Sequence, residues 1–322
     1  MNSYEAVEEV VQEDAGNDGD WAITTRALTK RFDQRVAVNR LTMRIPKGTV
    51  AAFVGPNGSG KTTTIRMLLG LIAPTSGSAT LLGHSIRRPA SYVRRVGSLI
   101  EGPAFYPPLS ARRNLEALAV LGGISRSRVS EVLEQVGLSR RAEDRFSSFS
   151  LGMKQRLGIA AALLPSPTLL VLDEPGNGLD PTGIAAMRAL LKGLAEDGMT
   201  VLVSSHQLAE LEQVASWVVM IQEGRLRFQG TMEELIRDSE VVSIATETPE
   251  AAEKLKVVLL GHRYTVHSPA PGRLTIRARE GVTAAGISKL AAEAQIVLTE
   301  LLTTHHTLED AYFVMTEGDS GA

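Results

Sequence analysis

Nine consecutive residues, Gly55-Pro56-Asn57-Gly58-Ser59-Gly60-Lys61-Thr62-Thr63, fit the spacing Gly-x-x-x-x-Gly-Lys-Ser/Thr at every defined position. Gly55, Gly58 and Gly60 let the backbone turn so that its N–H groups can cradle phosphate oxygens. Lys61 adds a point positive charge for β- and γ-phosphates, and Thr62 adds a hydroxyl for Mg²⁺. A second set of chemical groups is the acid pair Asp173-Glu174, followed by Pro175. Asp173 is expected to hold Mg²⁺ through water, and Glu174 to polarise an attacking water as general base. A third is His206 in Ser204-Ser205-His206, placed to reach a terminal phosphate and the base. Each has a bland alternative when taken alone: a glycine-rich turn, a solvated acidic turn, a structural histidine.

The elements around these residues have to deliver them to one place. Thr49 to Val54 is an apolar, partly β-branched run ending at a glycine, and reads as a buried parallel strand. Ile65 to Leu69 reads as the start of the helix after the loop. Thr168 to Leu172 is a second buried strand and carries both acids to the sheet edge where ligands bind in open α/β folds. Neighbouring strand residues face opposite ways, so Asp173 and Glu174 need not share a task. Thr200 to Val203 is a third such strand, ending just before His206.

A fourth motif, Phe149-Ser150-Leu151-Gly152-Met153-Lys154-Gln155-Arg156, lies between the first two. In this order the set resembles the ATP-binding subunit of an ABC transporter, over roughly Ile23 to Gly230. The resemblance implies binding of ATP with Mg²⁺, and hydrolysis to ADP and phosphate coupled to transmembrane transport. It assigns the whole loop, Gly55, Pro56, Asn57, Gly58, Ser59, Gly60, Lys61, Thr62 and Thr63, to the nucleotide, with Thr63 at the α-phosphate. It makes Phe32 the adenine stacker, with Trp21 as an alternative, and His206 the γ-phosphate sensor. The signature match is partial. Ser150 and Gly152 are kept, while Phe149, Leu151 and Met153 replace Leu, Gly and Gln. Ser150 reads as a helix N-cap. In the family that helix end meets the γ-phosphate held by another subunit. Asp180, in Gly176-Asn177-Gly178-Leu179-Asp180-Pro181, belongs to a loop lying against the partner's site, and Gly176 stands where the family has Ser or Thr. The implied assembly is a head-to-tail dimer, homodimeric or paired with a homologous ATP-binding subunit. It would work with a separate integral membrane permease, at the cytoplasmic face of the cell membrane.

Glu101, in Val96-Gly97-Ser98-Leu99-Ile100-Glu101-Gly102-Pro103, occupies the place of the family's glutamine loop. An ionised carboxylate accepts hydrogen bonds and binds Mg²⁺ but cannot donate. The change resembles the glutamate-loop branch of bacitracin- and lantibiotic-type exporters, which implies antibiotics, peptides or other amphipathic compounds as cargo. Read alone, Glu101 is a loop acid. Phe105-Tyr106-Pro107-Pro108-Leu109 follows. This apolar, proline-stiffened loop either docks a cytoplasmic helix of a membrane protein or forms a local mini-core.

The 322-residue chain is 43% hydrophobic, long enough for two domains with real cores. No apolar run reaches the ~18 residues of a membrane span, and no basic-then-apolar signal opens the sequence. A net charge of −2 leaves no footprint for nucleic acid. Zero cysteines exclude disulfides. The expected fold is α/β: a phosphate-loop NTPase core with an antiparallel β subdomain and a helical subdomain, plus a small C-terminal α+β, ferredoxin-like domain. Residues 1–20, with seven acids and no Lys or Arg, read as a disordered acidic arm. Residues 21–230 form the ATP-binding domain, 231–316 the accessory domain and 317–322 a tail. In the accessory domain Thr231 and Glu234 suggest a capping box. Strands are expected at 241–245, 264–267, 274–277 and 296–302, with helices at 249–259, 283–294 and 308–316. One alternative is a soluble ATP-switched protein of the same superfamily, disfavoured by a single phosphate loop and no long coiled-coil insertion. A regulatory module without turnover is disfavoured by Glu174 and His206.

Overall fold

Val50–Val54, Leu169–Asp173 and Thr200–Ser204 are buried along their whole length. Strands covered on both faces need near-continuous apolar sequence, and these three have it. The computed structural model describes residues 20–205, 208–239, 241–262, 264–277, 283–304 and 308. His206, the expected helix at 308–316 and all but Asp20 of the acidic arm lie outside the described residues, Leu308 excepted. The chain divides into two units, Met1–Gln229 and Gly230–Ala322.

In the first unit β1 (Trp21–Phe32), β2 (Arg35–Leu41) and β3 (Arg44–Pro46) precede β4 (Val50–Val54). Then come α1 (Lys61–Leu68), β5 (Ser76–Leu81), β6 (His84–Ser85) and β7 (Val96–Leu99). Strand β1 pairs antiparallel with β2, β3 and β5, and β5 with β6, giving the antiparallel subdomain. Three helices follow: α2 (Ala111–Gly122), α3 (Arg126–Gln135) and α4 (Leu151–Leu163). A serine caps each of them, Ser110, Ser125 and Ser150, its hydroxyl accepting a first-turn N–H. The unit closes with β8 (Leu169–Asp173), α5 (Pro181–Glu196), β9 (Thr200–Ser204), α6 (Leu208–Glu212), β10 (Trp217–Gln222) and β11 (Arg225–Thr231).

The central sheet has the order β11-β10-β4-β9-β8-β7, with parallel pairing from β10 through β7. Its core includes Phe53, Ile65, Leu68, Val171, Leu202 and Val219, all inaccessible to solvent. Each such side chain is worth about 1.5–3 kcal/mol relative to exposure. Register brings the carboxyl ends of the middle strands level: Phe53 pairs with Ser204, and Ser204 with Asp173. The phosphate loop and the acid pair therefore leave the same edge of one sheet, with β9 between their strands.

In the second unit α7 (Met232–Ser239) starts on the expected box: Thr231 N–H donates to Glu234 Oε2 at 2.7 Å, and Glu234 N–H to Thr231 Oγ1 at 3.1 Å. There follow β12 (Val241–Thr246), α8 (Pro249–Gly261), β13 (Val266–Ala270), β14 (Arg273–Arg277), α9 (Ala284–Glu293) and β15 (Leu298–Thr304). The sheet order is β13-β14-β12-β15, antiparallel throughout. With β-α-β-β-α-β connectivity this is the ferredoxin-like arrangement. Val242, Ile244, Leu255, Leu259, Leu274, Ile276 and Ile287 form its core. The second strand of the sequence pattern, read at Tyr264–His267, sits further on at Val266–Ala270, with Pro269 inside it. An edge strand tolerates proline because one side of its ladder has no partner. The turn is thereby shortened to Pro271-Gly272.

Candidate functional site

The phosphate loop is shaped by close backbone approaches that only glycine permits. Gly60 has φ +105°, and a Cβ there would lie 2.5 Å from Ala37 O. A Cβ on Gly55 would meet Ile221 O at 2.2 Å. The turn Glu223-Gly224 props the loop from behind, with Gly224 N–H donating to Ser59 O at 2.9 Å. Lys61, 7% exposed, folds back so that Nζ donates to Gly55 O at 2.7 Å and Pro56 O at 3.3 Å. Burial pulls its ammonium below the usual lysine range, while Glu174 and Asp173 oppose that shift. Another anion beside Nζ would act in the same sense as the two acids.

Ser204 joins the acids to each other. Its hydroxyl donates to Asp173 Oδ1 and accepts the Glu174 N–H at 3.1 Å. The same N–H also reaches Ser204 O at 3.1 Å. Glu174 is held at φ +51°, in the left-handed region that costs a non-glycine residue about 1–2 kcal/mol. That turn aims successive residues apart: Asp173 stays buried at 8% exposure, while Glu174 lines a cleft.

The cleft, about 690 Å³, is lined by Phe32, Arg35, Ala37, Asn57, Gly58, Gly60, Lys61, Thr62, Thr63, Glu174 and Asn177. One wall is thus the phosphate loop, another the end of β8, and the third the Phe32–Arg35 pair across the β1–β2 turn. Phe32 is 46% exposed, and Lys30 Nζ lies 4.9 Å from its ring centroid. Trp21 instead packs edge-on against Trp217 at 6.1 Å, with Arg44 over its ring. A volume of this size, an exposed aromatic, a nest of loop amides and a buried cation suit a nucleoside polyphosphate.

Ser150, Gly152, Asp180 and Glu101 do not line this cleft. Ser150 is exposed at the start of α4, accepting Met153 N–H at 3.4 Å. Gly152 faces Leu179 and Gly183, and Leu151 packs beside Gly178. Asp180 caps α5, its Oδ1 accepting Gly183 N–H at 2.8 Å. Glu101, expected at the metal, is not among the residues lining the cleft. It sits at φ +64° and its carboxylate is paired with Arg66 of α1, both side chains being exposed. A guanidinium within hydrogen-bonding reach attracts that carboxylate outward. The loop after it is split in character. Phe105 meets Phe146 edge-on at 5.2 Å, whereas Tyr106 is 72% exposed. Asn114, 3% exposed, accepts Tyr106 N–H and donates to Tyr106 O and Ser110 O, which fixes the loop's shape.

Ser204, Arg35 and Asn177 are site residues that sequence reasoning missed. Ser204 stood inside a recognised motif, and the signal was the alignment of two strand ends. Arg35 could have been found from its place opposite Phe32 across a two-residue turn.

The sequence pattern of the ABC transporter family matches residues 38–177. The bacitracin transport ATP-binding protein BcrA of Enterococcus faecalis is 38% identical over 306 residues, covering 94% of this chain and 98% of its own. The lantibiotic transport ATP-binding protein SrtF of Streptococcus pyogenes is 44% identical over 199 residues, 62% of this chain and 86% of its own. Among solved structures, a dimeric ATP-binding cassette in a post-hydrolysis state, bound to ADP and Pi, superposes with a TM-score of 0.58 at 25% identity. It covers 65% of this chain and 98% of that one.

Proposed function

This chain belongs to the ABC transporter family of ATP-binding proteins, and we propose that it powers export of an antibiotic, peptide or similar amphipathic compound through a separate membrane permease. As the ATP-binding subunit of an ABC transporter it hydrolyses ATP to drive transport. The cargo reading is supported by relatives named for bacitracin and lantibiotic transport, and by Glu101 in the glutamine-loop position. Among the described residues no helix is long and apolar enough to cross a membrane; in this reading the path belongs to the permease.

The observation that carries the mechanism is that Lys61 and Glu174 line one cleft, near enough for the carboxylate to act on the ammonium. Thr62 and Asp173 would hold Mg²⁺, which when bound neutralises charge on the β- and γ-oxygens. The loop amides and Lys61 hold the phosphates, and Glu174 takes a proton from the attacking water. Phe32 stacks on the adenine. His206 senses the γ-phosphate. Ser150 and Gly152, outside the cleft, serve the cleft of a second subunit, with Asp180 at the same interface. Two ATP sites then form head to tail at the cytoplasmic face of the membrane. Glu101 reaches the metal only if Arg66 releases it, and the exposed Tyr106 side of its loop meets the permease.

Two expected results test the site. Phe32→Ala should weaken ATP binding about tenfold, within the ~1–3 kcal/mol of an aromatic–base stack, and leave triphosphate alone unaffected in calorimetry. Ser204→Ala should raise the Mg²⁺ concentration needed for half-maximal turnover about 10–100-fold, since it orients both acids. The permease reading is tested by purifying tagged protein from detergent-solubilised native membranes with ATP. A stoichiometric multi-span partner supports it. Recovery only with ribosomal or DNA-bound proteins would replace it with the soluble-switch reading.

A further inference from the structure

From Gln34 to Ile100 the chain has ten Lys and Arg and no Asp or Glu. The net charge of −2 therefore conceals a stretch of +10 set against −12 elsewhere. Four of these cations, Arg87, Arg88, Arg94 and Arg95, fall within nine residues. They border two successive 3₁₀ turns, Pro89–Ser91 and Val93–Arg95. A 3₁₀ rise of about 2 Å per residue keeps their backbones within roughly 16 Å of one another.

The segment is anchored rather than loose. Tyr92, 2% exposed, lies between the turns with its hydroxyl 3.3 Å from Leu68 O and 3.4 Å from Ile86 O. Gly70 backs directly onto it: a Cβ there would lie 2.7 Å from Pro89 Cγ and 3.0 Å from Tyr92 Oη. Leu71, the next residue, is 64% exposed, and Val93 is 56% exposed. All four arginines are exposed, and none pairs with a carboxylate among the described residues. Two exposed aliphatic side chains thus lie on or next to this anchored segment, whose four guanidiniums pair with no carboxylate among the described residues.

We propose that this surface binds anionic phospholipid headgroups, with Leu71 and Val93 entering the headgroup layer and the four arginines pairing with phosphate. Guanidinium forks match phosphate oxygens in bidentate fashion. Each cation near an anionic bilayer contributes about fivefold in partitioning, so four together give roughly 10²–10³-fold. A folded partner would call for a continuous apolar face. Separate aliphatic side chains amid long cationic ones suit a fluid, laterally adaptable surface better. The proposal rests on the transporter reading only in expecting a bilayer beside the chain.

The test is flotation of the full chain with vesicles of phosphatidylcholine alone or mixed with phosphatidylglycerol, at low and raised salt. The expected result is binding only to the mixed vesicles, lost as salt rises. Replacing all four arginines by glutamine should reduce partitioning about 10²-fold or more with solution ATP turnover unchanged. Val93→Ser should reduce it several-fold. If the native chain ignores the mixed vesicles, or the fourfold variant floats as well as the native chain, the proposal is overturned. Neither outcome bears on recovery of a permease from native membranes, so the two readings fail separately.

Discussion

Replacing Glu174 by glutamine is expected to lower ATP turnover about 10²–10⁴-fold while ATP binding stays within a few-fold of the native value. The amide keeps the shape of the side chain but loses the basicity needed to accept a proton from water. The backbone around it should not move. Glu174 N–H is held by Ser204 O and Oγ, and neither contact involves the carboxylate. The strained φ of +51° is thus imposed by the strand end, and the variant inherits it. Comparing single-turnover rates with equilibrium ATP binding separates the two effects. Equal turnover in the variant and the native protein would remove Glu174 from the role of general base.

Lys61→Ala is expected to weaken ATP binding about 10–100-fold, the range for a hydrogen bond to a charged group. Turnover should fall a further 10²–10³-fold, because the ammonium acts where charge develops. Fold stability should hardly suffer. Burial lowers the lysine's proton affinity in the folded state, so at neutral pH its charge already costs stability. That cost is present below the lowered folded value and fades as pH rises through it. Deleting the side chain removes the cost, although Gly55 O and Pro56 O lose a donor. Lys61→Arg should not rescue binding, since a planar guanidinium does not reproduce the compact point charge that Gly55 O and Pro56 O hold in place. Thermal melts with and without ATP check both statements. At the same ATP concentration the native protein should gain more stability than the variant, by up to the tenfold-to-hundredfold difference in affinity.

The residues legible in the sequence are those whose chemistry demands a fixed local spacing. Gly55, Gly58, Gly60 and Lys61 could be read because a phosphate nest needs positive φ and close approach within a few residues. Asp173 and Glu174 could be read because a buried strand must end in the site it serves. Ser204 could not, because its role comes from the register of β9 against β8. The Arg66–Glu101 pair was equally hidden, since it joins residues far apart in sequence across two elements. The Phe105 loop was read as docking surface or mini-core; Phe105 packs on Phe146, while Tyr106 stays exposed. In the second unit the periodicity yielded the order of elements, but the edge strand absorbed Pro269 and shifted toward the turn. The arginine surface escaped notice because a small net charge averages a strongly basic stretch with acidic ones.

We propose that the site in one chain becomes complete only with the signature of another. Gly152 offers a clean probe. A Cβ there would meet only Leu179 at 3.6 Å and Gly183 at 3.9 Å, so the chain itself tolerates a side chain. An acid in the first turn of α4 even complements the helix N-terminus. The decisive measurement is light scattering of Glu174→Gln protein with and without Mg-ATP, alone and combined with Gly152→Asp. The expected result is a monomer that becomes a dimer with Mg-ATP, and a double variant that binds ATP yet stays monomeric. Equal masses with and without nucleotide, or a double variant that dimerises normally, would contradict it.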